Sequence, residues 1–217
     1  MPLEWTHVMD DGTVVLLDID DTLYPKGAGP FAHVNRRIDE YVVSACRVDY
    51  DNARAIRRSY ISEYGSTLQG LMLHYGIDPT HYLQDVHDVP VEAMLTRDDR
   101  LREALTAVPG SLVAFTNGSY AYACRILRAL GIDDIVTDLF TIEYMDFVPK
   151  PLPWAYRKVM QQYGGAPADY LVVDDSVANV RTAARLGMGA LIVGSEDPEG
   201  FVLSIPSIYE IPRVVSH

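Results

Sequence analysis

Four short runs of apolar residues constrain the fold of this chain more than any other feature. They occupy residues 14–17, 112–115, 170–173 and 190–193, and small polar or acidic residues follow each run at once. A run that is apolar at every position is typical of a strand buried on both faces, as in the middle of a parallel sheet. We therefore expect the four runs to be strands of a parallel sheet.

Helix-like segments separate the later runs. Apolar residues recur at helical spacing over residues 120–130, 153–163 and 177–186, and a glycine that favours helix termination follows each segment. Strands that alternate with helices of about ten residues indicate βαβ units. The sequence thus predicts an α/β fold with a Rossmann-like parallel sheet as its core.

The stretch from residue 26 to residue 105 has a different pattern. It contains no comparable apolar run, and apolar residues such as Val34, Ile38 and Val42 recur every three to four positions. We predict that it forms an all-helical cap inserted after the first strand. The chain would then consist of a three-layer αβα core, residues 1–25 and 106–217, and a helical cap, residues 26–105.

The charge balance excludes one class of partner. Lys and Arg number 18 and Asp and Glu number 30, which gives a formal net charge of −12. Nucleic-acid binding depends on basic side chains that neutralise phosphates, so polymeric nucleic acid is an unfavourable partner. A small anionic substrate would need a local cation to offset this acidic background.

An acidic pair follows the first run. Asp18 and Asp20 lie two residues apart in a segment that leaves a strand, so both carboxylates can face one site. Carboxylates that are so close require a metal ion or protonation of one partner. Taken alone, the pair is equally typical of a solvated acidic turn or a helix N-cap.

Other polar residues near the strand ends favour a catalytic site. Thr116 and Asn117 follow the second run, Asp174 and Asp175 follow the third, and Lys150 lies between two prolines. Ligands of parallel sheets bind outside the carboxyl ends of the strands. Carboxylates, a lysine and a hydroxyl around Mg²⁺ are the groups that phosphoryl transfer uses. The residues thus predict a Mg²⁺-dependent phosphoryl-transfer site.

In order and spacing, these residues resemble the four motifs of the haloacid dehalogenase superfamily. The motifs are Asp18-Ile19-Asp20-Asp21-Thr22, Thr116-Asn117, Lys150 and Asp174-Asp175. One subgroup, the pyrimidine 5′-nucleotidase-like hydrolases, is similar over further segments. These are residues 20–25, residues 64–71 and 86–87 of the predicted cap, and residues 174–180.

The resemblance implies a role for the residues that act on phosphorus. Asp18 would be the nucleophile that forms an aspartyl-phosphate, and Asp20 would protonate the leaving alkoxide and then activate water. Thr116 would bind a phosphoryl oxygen, with Asn117 next to it in the phosphate-binding set. Lys150 would neutralise charge on the phosphoryl group and on Asp18.

The resemblance also implies a metal site and a reaction type. Mg²⁺ would be held by the Asp18 carboxylate, the Asp20 backbone carbonyl and Asp175, with Asp174 bound directly or through water. Dehalogenases resemble this framework but lack the second aspartate of the first motif, because a halide leaves without a proton. An alkoxide that leaves phosphorus needs one, so Asp20 favours a phosphatase.

The sequence leaves open both the substrate and the functional class of the protein. The subgroup implies a pyrimidine nucleoside 5′-monophosphate, with Tyr64, Thr67 and His87 of the cap as candidate substrate contacts. Ser66 replaces a common Thr in the cap segment, so other small metabolites such as sugar phosphates are an alternative. Phosphoacceptor signalling modules also combine an acidic pair, a Thr and a Lys around Mg²⁺, but they are shorter and have no helical insertion.

Two further expectations concern location and assembly. Residues 1–12 have neither a basic start nor a long apolar stretch, and the sequence has no window of the ~18 uninterrupted apolar residues that a membrane span needs. We expect a cytoplasmic protein without a membrane partner, either a monomer or a homodimer.

Overall fold

A six-stranded parallel sheet forms the centre of the structure, a computed structural model that describes residues 9–10, 12–200 and 202–215. The strands are β1 (Val14–Leu17), β2 (Ser111–Phe115), β3 (Asp138–Phe140), β4 (Tyr170–Asp174), β5 (Gly189–Val193) and β6 (Leu203–Ile205). Their order is β3-β2-β1-β4-β5-β6, so β1 pairs with β2 on one side and β4 on the other. The predicted parallel, Rossmann-like sheet is confirmed.

Alternate side chains of the central strand enter two separate hydrophobic cores. Val15 and Leu17 pack into one core and Leu16 packs into the other, and all three are fully buried. Successive side chains of a strand point to opposite faces of the sheet. Because both faces are covered, every position of β1 has to be apolar.

The helices follow the predicted alternation after β2 and cluster between β1 and β2. They are α1 (Phe31–Cys46), α2 (Tyr50–Tyr64), α3 (Thr67–Tyr75), α4 (Pro79–Val86), α5 (Val91–Met94), α6 (Asp99–Thr106), α7 (Tyr120–Leu130), α8 (Pro153–Tyr163), α9 (Val177–Arg185) and α10 (Ile211–Val215). Asp49, Ser66 and Asp78 begin α2, α3 and α4, and each side chain accepts a hydrogen bond from a backbone N–H of the first turn.

The helices between β1 and β2 divide into two groups by their contacts. α1 packs against α2 and α4, and α2 packs against α3. In contrast, α5 contacts α7, and α6 contacts α10 near the end of the described chain. The division into a core of residues 1–25 and 106–217 and a cap of residues 26–105 stays a prediction. These contacts place the last two helices of the predicted cap against elements outside it.

Two strands lie outside the four predicted runs. β3 is only three residues long, and its first residue, Asp138, is exposed at the sheet edge. An edge strand with one partner needs no continuous apolar run, so the sequence pattern does not reveal it. After Gly200 the chain forms β6 and then α10, with Ile211 and Val215 buried.

The structure tests only part of the expectation about cellular location. Within the described ranges, no helix is both long and apolar enough to cross a bilayer. The predicted absence of a leader in residues 1–12 falls mainly on residues 1–8 and 11, which lie outside the described residues.

Candidate active site

The carboxyl ends of β1, β2 and β4 open into one cavity of about 510 Å³. Asp18 and Asp20 follow β1, Thr116 follows β2 and Asp175 follows β4, and all four line the cavity, as does Lys150. Parallel strands bring their carboxyl ends to the same edge of a sheet, so residues that are distant in sequence meet here. The structure therefore brings the predicted core-motif residues together.

Lys150 is the electrostatic centre of this site. Its side chain is 1% exposed, and Nζ donates hydrogen bonds to Asp18 Oδ1 (2.8 Å), Asp174 Oδ2 (2.7 Å) and the backbone oxygen of Phe115 (2.5 Å). Burial lowers the pKa of Lys150, but Asp174 and Asp18 more than offset this and hold the pKa above its ordinary value. The ammonium stays charged, with its three protons all directed at oxygens of the site.

Asp18 is held through both carboxylate oxygens. Oδ1 accepts the Lys150 hydrogen bond, and Oδ2 accepts one from Thr22 Oγ1 at 2.9 Å. Thr22 Oγ1 in turn accepts the backbone N–H of Asp175 at 3.1 Å, which ties the turn after β1 to the end of β4. Burial has the largest effect on the pKa of Asp18 and raises it to about 8, although Lys150 lowers it. A divalent cation at the carboxylate would favour the ionised form.

Three carboxylates form a candidate metal site. One oxygen each of Asp18, Asp174 and Asp175 lies within 4.8 Å of the others. An all-oxygen, carboxylate-rich donor set suits a hard divalent cation such as Mg²⁺. Burial, followed by the nearby Asp174 charge, raises the pKa of Asp175 to about 6, as expected where like charges crowd. Asn179 Nδ2 donates to both oxygens of Asp174 at 2.9 Å and orients that carboxylate.

Asp20 faces the same cavity but has different partners. The hydroxyls of Tyr24 and Tyr122 both donate to Asp20 Oδ1, the latter at 2.8 Å. Burial raises the pKa of Asp20 to about 6, although both hydrogen bonds lower it. In the described part of the chain no hydrogen bond reaches Oδ2, so this oxygen is available to a substrate. A carboxyl group with a pKa near 6 can donate and accept a proton near neutral pH.

Thr116 and Asn117 differ in how they are engaged. Thr116 is buried, and its Oγ1 accepts the backbone N–H of Gly118 at 2.9 Å. The Asn117 amide clamps the backbone of Lys150: Nδ2 donates to the Lys150 oxygen at 2.9 Å, and Oδ1 accepts the Lys150 N–H at 2.8 Å. Asn117 therefore positions the lysine, and its part in phosphate binding stays a prediction.

Two of the three predicted cap residues reach the cavity. Thr67 at the start of α3 and His87 at the end of α4 line it. His87 stacks on Tyr122 with ring centroids 4.5 Å apart, and burial lowers the pKa of His87 to about 4, which keeps it uncharged at neutral pH. Tyr64 is not among the described residues that line the cavity, and its hydroxyl contacts Glu63 and His74 instead.

The cap side of the cavity wall includes residues that were not among the predicted site residues. Its apolar members include Phe31, Val34, Ile38, Ile61, Leu83 and Val86. Asn35 of α1 and Arg57 of α2 are polar members of the same wall. The helical period places Phe31, Val34, Asn35 and Ile38 on one face of α1, and this signal alone could have indicated an inward face. No pattern distinguishes Arg57 from other helix-surface arginines.

Known proteins are similar to this chain over most of its length. A family model described as haloacid dehalogenase-like hydrolase matches residues 13–187. Phosphate metabolism protein 8 of Saccharomyces cerevisiae is 30% identical over 199 residues, which cover 85% of this chain. The chain spans 62% of the length of that yeast protein.

Solved structures with different reported ligands have a similar fold. The HAD-hydrolase YfnB of Bacillus subtilis, bound to magnesium, has a TM-score of 0.61 at 15% identity, covering 97% of this chain and 100% of that one. The L-2-haloacid dehalogenase of Xanthobacter autotrophicus, with chloropropionic acid covalently bound, has a TM-score of 0.57 at 16% identity, covering 96% and 99%. At these identities the likeness shows the fold, and the reaction has to be argued from the site.

Proposed function

Because the chain belongs to the haloacid dehalogenase-like hydrolases, we propose that it is a Mg²⁺-dependent phosphatase acting on a small phosphomonoester through an aspartyl-phosphate. The leading substrate in this proposal is a pyrimidine nucleoside 5′-monophosphate. The name of the yeast relative refers to phosphate metabolism, which supports a phosphorylated substrate. The fold alone does not distinguish a phosphatase from a dehalogenase.

The second carboxylate near the proposed nucleophile is the observation that favours a phosphatase over a dehalogenase. Asp20 lines the same cavity as Asp18, two residues further along the chain, and its pKa of about 6 suits proton transfer. A halide leaves carbon without a proton, whereas an alkoxide that leaves phosphorus requires one. The pair therefore supports the cleavage of a phosphate ester.

In this proposal the reaction has two steps. An Asp18 carboxylate oxygen attacks phosphorus, the ester P–O bond breaks, and Asp20 gives its proton to the leaving alkoxide. Asp20, now ionised, takes a proton from a water molecule, whose oxygen attacks phosphorus and breaks the aspartyl-phosphate bond. Inorganic phosphate leaves, and both aspartates return to their starting states. Lys150 offsets negative charge throughout.

The carboxylate cluster fits the metal that the proposal requires. Asp18, Asp174 and Asp175 would hold Mg²⁺, with Lys150 and Asn179 fixing the orientation of the first two. Mg²⁺ would neutralise charge on the phosphoryl oxygens and on the nucleophile. Without that cation the excess of carboxylates in the cavity would repel a phosphate group.

Phosphate release from a substrate panel tests the proposal. The purified protein is assayed with Mg²⁺ on uridine and cytidine 5′-monophosphates, ribose 5-phosphate and an aryl phosphate, with Asp18→Asn as the blank. Selective release from the nucleotides supports the full proposal. Release from sugar phosphates alone keeps the mechanism and contradicts the nucleotide substrate. A stable phosphorylated protein without turnover contradicts the phosphatase and supports a signalling module.

Asn179→Ala is expected to weaken Mg²⁺ binding by roughly 10- to 100-fold, because Asp174 loses the amide that orients it. Isothermal titration with Mg²⁺ alone measures the effect without any substrate. Asn52→Ala is the matched control, since the Asn52 side-chain amide donates to Asp49 at the exposed start of α2, outside the cavity. Equal affinity of the two variants for Mg²⁺ would contradict the role of Asn179.

The pH dependence of kcat/KM is expected to report Asp20. With an alkyl phosphate, kcat/KM falls as pH rises above about 6, because the protonated acid is lost. Tyr122→Phe removes one hydrogen bond that lowers the pKa of Asp20, so the falling limb moves to higher pH. Tyr120→Phe, an exposed tyrosine on the same helix, leaves the profile in place. With an aryl phosphate the fall in kcat/KM at high pH should be weaker, since that leaving group needs little protonation. If the pH profile of Tyr122→Phe is the same as that of the wild type, Asp20 is not the group that the profile reports.

A further inference from the structure

A buried donor on the cap side of the cavity lacks a partner. Across residues 9–10, 12–200 and 202–215, Arg57 Nε is the only buried side-chain nitrogen or oxygen without a hydrogen bond. Arg57 lines the cavity that also contains Asp18 and Asp20. Unsatisfied buried donors are rare in native proteins because each one loses its hydration without compensation. Arg57 thus combines an unsatisfied donor with a place in the cavity wall.

The rest of the Arg57 guanidinium is held in place. Nη1 donates to the backbone oxygen of Asn35 at 3.0 Å and to Asp39 Oδ1, and Nη2 donates to Asn35 Oδ1 at 2.8 Å. A guanidinium has five N–H groups, so these bonds leave the Nε proton and one Nη2 proton. The remaining donors belong to a fork whose position is set before any ligand arrives.

The charge around Arg57 favours an uncharged acceptor. Asp39 is buried and pairs with Arg57, so the guanidinium charge is already compensated. Arg54, the other arginine at Asp39, is largely exposed and screened by solvent. A second anionic group on the ligand would therefore find little net positive charge here. An uncharged carbonyl oxygen needs only the free N–H donors of Arg57 and no net positive charge.

The surroundings of Arg57 in the cavity fit a ring rather than a polar chain. Phe31, Val34, Ile38 and Ile61 contribute apolar surface to the same wall. Apolar walls with a few placed polar groups orient a ligand while they remove its hydrophobic surface from water. The wall is thus suited to a planar, mostly apolar group that carries a hydrogen-bond acceptor.

We propose that the Nε and Nη2 edge of Arg57 is a specificity subsite that donates hydrogen bonds to a carbonyl oxygen on the leaving group of the substrate. The inference rests on the proposed phosphatase function and names its substrate class. That class is a phosphomonoester whose leaving group carries an uncharged, carbonyl-bearing ring. Uracil and cytosine have such a carbonyl, whereas adenine and a bare sugar phosphate lack it.

Ligand affinity tests this subsite separately from turnover. Uridine 5′-monophosphate and ribose 5-phosphate differ by the uracil ring, and both are titrated into Asp18→Asn protein with and without Arg57→Met. Arg57→Met is expected to raise the Kd of the nucleotide about 10- to 100-fold and that of ribose 5-phosphate less than about threefold. Arg57→Lys keeps the charge beside Asp39 but removes the fork, so it is expected to lose the same discrimination.

Arg58→Met is the matched control for this test. Arg58 is the exposed neighbour of Arg57 and does not line the cavity, so both Kd values should stay unchanged. Equal weakening of both ligands in Arg57→Lys would show a structural role and overturn the subsite. An unchanged nucleotide Kd, or no nucleotide binding to Asp18→Asn, would overturn it as well. Failure of the proposed function shows itself differently, as absence of phosphate release by the wild-type protein.

Discussion

Asp18→Asn is expected to abolish phosphomonoester hydrolysis and leave the fold intact. The amide cannot form the aspartyl-phosphate, so kcat should fall on the order of 10⁴- to 10⁶-fold. Asn has the size of Asp, and its Oδ1 can still accept the Lys150 hydrogen bond. Steady-state phosphate release measures the loss, and mass spectrometry of acid-quenched enzyme detects the phosphoryl adduct in the wild type only.

Asp21→Asn is the matched control for that substitution. Asp21 lies three residues after Asp18 in the same turn, and its φ of 57° is one that asparagine adopts readily. The carboxylate of Asp21 has no part in the proposed mechanism, so kcat should stay within about twofold. Hydrolysis by Asp18→Asn at more than about 1% of the wild-type rate would assign the nucleophile to another residue.

Lys150→Met is expected to cause the largest loss of stability at a single site. Methionine has a similar length but no charge, so the buried carboxyl groups of Asp174 and Asp18 would lose the cation that they share. Breaking a buried ion pair in this way lowers the free energy of unfolding by about 3–5 kcal/mol. Denaturant unfolding at neutral pH in the absence of Mg²⁺ measures the loss, and phosphatase activity should disappear with it.

The loss in Lys150→Met should depend on pH in a defined direction. The pKa of Asp18 is about 8 in the fold and near 4 in an unfolded chain, and removal of Lys150 takes away an influence that lowers it. A group with a raised folded pKa destabilises the fold as pH rises between those values, because the unfolded chain releases its proton first. Since the folded pKa is about 8 in the wild type and higher in the variant, the two proteins should change in parallel between pH 4 and 8, and the variant should lose further stability relative to the wild type as pH rises above about 8.

Lys158→Met provides the comparison for Lys150→Met. Lys158 forms its ion pair with Asp146, whose side chain is 62% exposed. Pairs of this kind contribute about 1 kcal/mol or less to stability. The loss of unfolding free energy in Lys158→Met should therefore be small and should change little between pH 5 and 8. If the two lysine variants lose equal free energy of unfolding, then burial of the carboxylates around Lys150 is not the cause.

The core of the candidate site could be predicted from the sequence because its residues are tied to strand ends. Asp18, Thr116 and Asp174 are recognisable as the residues that end or follow apolar runs. Once such runs are assigned to one parallel sheet, their carboxyl ends have to meet at one edge. The confirmed sheet thus gives a physical reason for the proximity of these groups, and Lys150 joins them through its hydrogen bonds.

The partners of these groups could not be predicted in the same way. Tyr122 donates to Asp20 from α7, and Arg57 reaches the cavity from α2. Neither contact follows from a local pattern, because it depends on how helices pack against the sheet edge and against one another. Tyr64 lies in a family-like segment that predicts a substrate contact, and in the structure its hydroxyl contacts Glu63 and His74, so its role in substrate binding stays a prediction.

By itself the sequence determined the parallel α/β core, the family and the residues at the strand ends. These features depend on periodicity and on order along the chain, which are local properties of the polypeptide. Only the tertiary structure decided the pKa values near 6 of Asp20 and Asp175, the clamp of Asn117 on Lys150, and the unpaired donor of Arg57. Burial and hydrogen bonding across distant segments set these properties, and both arise only when the segments pack together.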